Sequence, residues 1–213
     1  MSDVPEMWIL LVFAFPVLHT YYYGAFLGSF IDLEETDLTY WTYSVFAFGG
    51  GALFFFFAPI EIPFGFELWF LLLFPLGIGL YFLETWLWYQ YTKKPIEVAS
   101  EPVEGMIPVP FVSIPEEIVF RGGLLPLVAA VGAPAYIVLS GLLFGLYHYV
   151  FSFRDVFLKW ADGMIYAGLF LATGSLWASI VMHMGYNLAS MYIIADYRHI
   201  PYLRQIAPGP DPE

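Results

Sequence analysis

Three features of this sequence predict an all-α, polytopic helical bundle embedded in a membrane. Of its 213 residues, 60% are hydrophobic and 21% aromatic while only 12% are charged, and the mean hydropathy is +0.72; an ordinary soluble domain carries about twice that share of charge. The apolar residues gather into seven runs, each near the roughly 20 residues a helix needs to cross about 30 Å of hydrocarbon. When the runs are counted as spans, the Lys and Arg residues outside them all fall on one side.

The runs cover residues 7–30, 40–60, 66–91, 108–131, 134–151, 160–173 and 176–195. The first is as long as a full span and lacks a basic leader or a small-residue cleavage site, so it reads as a membrane helix and not as a signal peptide. In the second, Gly49, Gly50 and Gly51 suit close helix packing, and the aromatic residues 54–57 suit lipid-facing bulk. Trp86, Trp88, Tyr89 and Tyr91 crowd the end of the third, as an interfacial belt requires. A polar linker, 92–107, separates it from the fourth. The sixth run is short; it starts earlier, at Phe157, or is capped by the Gly174-Ser175 turn.

Lys93 and Lys94, Arg154 and Lys159, and Arg198 and Arg204 share a side with the C-terminus. Positive residues are retained in the cytoplasm, so the C-terminus is expected inside the cell and the N-terminus outside. The organisation is then 1–107 with three spans and the linker, 108–195 as a four-helix core, and 196–213 as a cytoplasmic tail. The net charge of −12 lies in stretches such as 32–37 and the end of the chain, a solvated acidic surface with no basic patch for nucleic acid. The absence of cysteine excludes disulfides, thiol nucleophiles and thiolate metal sites within this sequence.

Chemistry concentrates in the core. Glu116, Glu117 and Arg121 stand inside an apolar run, where each ionisable residue opposes insertion by roughly 2.5–3.5 kcal/mol, so the cluster points to a functional site. Positions four apart share a helix face, which pairs Glu117 with Arg121 and turns Glu116 elsewhere. Glu116 is left as a desolvated carboxylate suited to general-base work. On the next spans, Phe144 with His148 and His183 with Asn187 repeat the four-residue spacing. One histidine alone in such a helix reads first as an interhelical hydrogen-bonding residue. A glutamate, two histidines and an asparagine together supply what amide hydrolysis needs: a base for water, a partner to orient it and donors for the oxyanion. At 1.5 Å per residue, Glu116 lies roughly 12 Å into its span and His148 near the end of its own, so convergence on a common cavity requires a tilt, a shifted boundary or an oblique cavity. Glu84 reads as a packing or proton-titrating residue, Glu67 and Asp162 as interfacial, His19 as a packing residue and His199 as part of the exposed tail.

With these motifs in order, the chain resembles the CPBP intramembrane proteases, the family of the CAAX prenyl endopeptidases and of proteins linked to bacteriocin processing and self-immunity. Glu116, Glu117 and Arg121 match its Glu-Glu-x-x-x-Arg motif, Phe144 and His148 its Phe-x-x-x-His, and His183 and Asn187 its His-x-x-x-Asn. The resemblance covers residues 108–195. It implies an endopeptidase acting on a membrane-embedded or lipidated, prenylated protein, in which Glu116 with His148 activates water, His183 with Asn187 stabilises the oxyanion, and Glu117, Arg121 and Phe144 support them. The family is often labelled metalloprotease, and zinc held by Glu116, His148 and His183 is the alternative to a metal-free site. The metal-free reading is preferred because His183 and Asn187 are spaced as an oxyanion donor pair, and His-Glu-x-x-His is absent. Two other classes remain: a proton- or ion-coupled transporter, which would show paired repeats and broken helices in both halves, and a non-proteolytic scaffold or immunity protein on the same fold.

Overall fold

The computed structural model describes residues 60–93, 109–148 and 153–192, with Phe48, Gly49, Gly51, Ala52 and Phe56 ahead of them. The first predicted span, most of the second, most of the linker, the tail, His19 and His199 lie outside these residues. Among the described residues the architecture is all-helical and without strands. A 3₁₀ turn, Leu68–Leu72, leads into α1, Leu73–Thr92. Then come α2, Val109–Glu117, a π-helical turn at Ile118–Gly122, and the short α3, Leu127–Val131. The remaining helices are α4, Ala133–Tyr147, α5, Phe153–Thr173, and α6, Leu176–Tyr192.

Two stretches among the described residues are long and apolar enough to cross a membrane, Leu68–Thr92 (25 residues, mean hydropathy 1.7) and Asp155–Thr173 (19 residues, mean hydropathy 1.2). Beside its hydrophobic core, the protein exposes large apolar side chains and buries ionisable ones, unlike a soluble domain. Leu68 and Leu72 of the 3₁₀ turn and Leu76, Phe82, Trp86 and Tyr91 of α1 are exposed, while Ser113, Glu116, Glu117, Arg121, Ser140, Asp162, Ser179 and His183 are buried. Lipid solvates the first set and cannot solvate the second.

The fourth predicted span, 108–131, is not one helix. Pro115 inside α2 has no N–H to give, which loosens the ladder just before the two glutamates. Directly after them the turn widens, and Gly123 N bonds Ile118 O five residues back at 2.8 Å. Such π turns are most often found where a helix serves a site. Pro126 then denies its turn another donor, and the chain proceeds by short-range bonds from Leu125 N to Gly122 O and from Leu127 N to Leu124 O. Two carbonyls of this irregular stretch are satisfied from α4: Ser140 Oγ donates to Phe120 O at 2.7 Å and Tyr136 Oη to Arg121 O at 2.9 Å. Tyr136, Ser140 and Phe144 thus form one buried stripe, four residues apart, facing the broken helix.

The other face of α4 carries glycine. A Cβ at Gly141 would stand 2.7 Å from Trp160 O, and one at Gly145 2.4 Å from Val156 O, so the backbones of α4 and α5 touch there. Gly51 meets Pro115 in the same way, in line with the packing role expected of it, while Phe56 is exposed. The sixth span begins at Phe153, before even the earlier start considered from sequence, and ends at Gly174, whose φ of 64° is left-handed. With that longer helix Asp162 is not interfacial: it is fully buried.

Gly145→Ala should therefore lower stability by about 1–3 kcal/mol, the usual cost of overpacking, whereas Gly168→Ala, with open space around its Cβ position, should be neutral or stabilising. Thermal unfolding of both variants in detergent checks the contrast.

Candidate active site

Glu116 and Glu117 end α2, and the widened turn sets Arg121 one turn beyond them. Glu117 Oε2 and Arg121 Nε approach to 3.1 Å with both side chains fully buried, an ion pair that is not aligned as a hydrogen bond. The pairing expected from the four-residue spacing is present. The guanidinium also donates from Nη2 to Gly163 O at 3.3 Å and lies 4.4 Å from the Phe144 ring centroid and 5.3 Å from that of Tyr166. A planar cation among aromatic faces is Arg chemistry that Lys cannot reproduce.

His183 closes the cluster from α6. Its Nδ1 is 2.8 Å from Glu117 Oε1, and its Nε2 is 3.6 Å from Glu116 Oε2. Glu117 is therefore more than the partner of Arg121, since it also orients the histidine. A carboxylate accepts, so Nδ1 donates and Nε2 is the nitrogen turned to Glu116. Phe144 meets the imidazole edge-on at 5.5 Å, and Tyr166 stacks on it at 4.8 Å and 18°.

His148 stands at the end of α4, half-buried, with the Phe144 ring against it at 4.6 Å. Its Nδ1 donates to Phe144 O at 2.8 Å. A backbone carbonyl can only accept, so the lone pair of the neutral ring lies on Nε2. Its surroundings include the charges of Lys159 and Asp155 and the ring of His183. Asn187 follows His183 by one turn on α6 and is half-buried. The structure thus brings Glu116, Glu117, Arg121, Phe144 and His183 into one buried cluster, with His148 against its Phe144 edge.

Sequence reasoning missed Tyr166 and the contact of Glu117 with His183. The first looked like any aromatic residue of an apolar helix, and the second joins residues far apart in the chain, where helical spacing gives no signal. For zinc, the three ligands named from the sequence do not close on a point: among the described residues, no three His, Asp or Glu side chains lie close enough together to hold an ion.

Removing Arg121 would leave Glu117 buried without its cation, a change that typically costs about 3–5 kcal/mol. Arg121→Ala is expected to unfold well below the wild type in detergent, and Arg121→Lys to recover only part of the loss. An unchanged melting temperature for Arg121→Ala would contradict the pairing as a structural element.

Residues 99–189 match the family model described as type II CAAX prenyl endopeptidase Rce1-like. The match begins in the polar linker, ends just past Asn187 and holds all three motifs; α1 lies outside it. Searches of curated proteins and of solved structures give no match. The resemblance read from Glu116, Glu117, Arg121, Phe144, His148, His183 and Asn187 is thereby borne out over residues 99–189, which are similar to the Rce1-like type II CAAX prenyl endopeptidases.

Proposed function

We propose that this chain is an intramembrane endopeptidase that hydrolyses a peptide bond in a membrane-embedded or lipidated protein, a CAAX-type prenylated substrate being the one that the family match favours. The observation that carries the reading is the clamp on His183, with Glu117 on Nδ1 and Glu116 facing Nε2. It sets a carboxylate base beside a donor whose direction is held by a second carboxylate.

Glu116 takes a proton from water as the water oxygen bonds to the scissile carbonyl carbon, with the Nε2 lone pair of His148 helping to orient that water. The oxyanion that forms is met by Nε2–H of His183 and by the amide of Asn187. For Nε2 to donate while Nδ1 donates to Glu117, the ring must be an imidazolium. Two carboxylates and one guanidinium leave one negative charge in the cluster for it to cancel. Collapse breaks the C–N bond, and Glu116 returns its proton to the leaving amine. Glu117 and Arg121 act by positioning. The scheme is metal-free, and no step in it requires a Lewis acid; zinc on Glu116, His148 and His183 is the outcome that would replace it.

In this reading the chain crosses the cell membrane seven times, with the N-terminus outside and the C-terminus in the cytoplasm, supported by the one-sided placement of Lys and Arg. A reporter active only in the cytoplasm should signal when fused after residue 213 and stay silent when fused before residue 1. Signals from both ends would require an even number of spans.

Purified protein, incubated with prenylated and unprenylated CAAX peptides and analysed by mass spectrometry, tests the chemistry. Glu116→Gln should reduce cleavage to background while peptide binding persists. Asn187→Ala should lose about 10²–10³ in turnover and keep measurable activity, as oxyanion-donor deletions do. Wild-type cleavage by Glu116→Gln, or activity lost to a chelator and restored only by zinc, would overturn the scheme.

A further inference from the structure

A second buried polar cluster lies beside the first and uses none of its residues. Glu84, on α1, accepts a hydrogen bond from Tyr186 Oη at 2.7 Å. Asp162, on α5, lies beside Glu84 and pairs with Lys159 Nζ at 2.7 Å. Lys159 Nζ also stands 3.5 Å from the Tyr186 ring centroid, and Tyr81 meets the same ring edge-on at 5.1 Å. Groups from α1 and α5 thus converge on one side chain of α6, three residues beyond His183.

The backbones touch at the same level. A Cβ at Gly77 of α1 would come within 1.9 Å of Met182 O, and one at Gly185 of α6 within 2.0 Å of Phe74 O. These contacts bracket His183. On the far side of its imidazole, Tyr166 stacks on the ring and stands one turn after Asp162 on α5. Both Asp162 Oδ1 and Tyr166 Oη are buried without a hydrogen bond among the described residues.

A carboxylate in the wall of a membrane bundle is an expensive way to hold two helices together, since glycine notches and apolar contact would do so without desolvating a charge. What directed polar contacts add is register: they select one rotation and one height of a helix among several that pack equally well. The helix so fixed is the one that carries His183.

We infer that Glu84, through Tyr186, is a positioning residue for His183, holding α6 at the rotation in which Nδ1 meets Glu117 and Nε2 faces Glu116. This deepens the peptidase reading and rests on it for its kinetic test. It also assigns to α1, outside the Rce1-like segment, a part in the reaction.

The experiment combines CAAX-peptide kinetics with ¹⁵N-histidine NMR of the full chain in detergent, the His183 resonances being assigned with His183→Gln. Glu84→Leu and Tyr186→Phe should each lower kcat about tenfold, as small misplacements of catalytic groups do, with KM within about twofold of wild type. Glu84→Gln, which still accepts from Tyr186, should restore kcat to within about twofold. The double variant Glu84→Leu/Tyr186→Phe should be no worse than the poorer single one. In the same variants the ring nitrogens of His183 should shift. A folded Tyr186→Phe with wild-type kcat, a loss confined to KM, or additive losses in the double variant would overturn the inference. Should Glu84→Leu not fold, Tyr186→Phe decides alone. If the wild type cleaves no peptide, the peptidase reading fails separately, and the His183 shifts decide: unmoved resonances in Tyr186→Phe refute the positioning role.

Discussion

An ion pair set in an apolar bundle must find every partner it needs from the protein itself, and the Glu117–Arg121 pair imposes that demand on the whole core. Its two members come from one broken helix. The guanidinium draws Gly163 O from α5 and two aromatic faces, Phe144 and Tyr166, from α4 and α5. The second oxygen of Glu117 takes His183 from α6. Four helical elements are thus tied to one buried charge pair. Because these contacts form only when all four elements are in place, the contacts that hold the charge pair also assemble the histidine beside Glu116.

The irregular backbone follows from the same demand. A straight helix through 108–131 would complete its own hydrogen bonds and need nothing from α4. The observed segment, loosened at Pro115, widened at Ile118–Gly122 and stopped near Pro126, has carbonyls to spare, and Tyr136 and Ser140 answer them. Backbone of this kind is tolerated at membrane depth only where protein covers it. Glycines on the neighbouring face of α4 let α5 come close enough to provide that cover.

Much of this was readable beforehand, and the parts that were not have identifiable causes. Helical spacing alone paired Glu117 with Arg121, because four residues is a local distance. Helix boundaries at 66–91 and 176–195 agree with α1 and α6 over the described residues, because those runs are mostly apolar and hold no proline inside α1 or α6 beyond the first turn. Hydropathy predicts an unbroken fourth span because it counts side chains and ignores that Pro115 and Pro126 lack a donor. Asp162 reads as interfacial from sequence because the polar start of α5, with Arg154, Asp155 and Lys159, resembles a loop. The links that build the site, Glu117 to His183 and Glu84 to Tyr186, join distant parts of the chain and have no periodicity to betray them. The number of spans rests on the sequence, since the first run and most of the second fall outside the described residues.

The aromatic collar around His183 bears on hydration. Phe144 and Tyr166 leave the ring about 2% exposed, and Glu116 only slightly more. For a hydrolase, one of the two reactants is water, and here it must reach a carboxylate enclosed by hydrocarbon. On the proposed reading, a lipidated segment would meet no such obstacle, being soluble in hydrocarbon. The two reactants would then be delivered in opposite ways, the greasy one by lateral diffusion and the small polar one through the protein. His148, at the end of α4, and Asn187 on α6 are the half-buried polar groups of the site, so on that reading hydration at their ends would set a ceiling on turnover that no improvement of the base could lift.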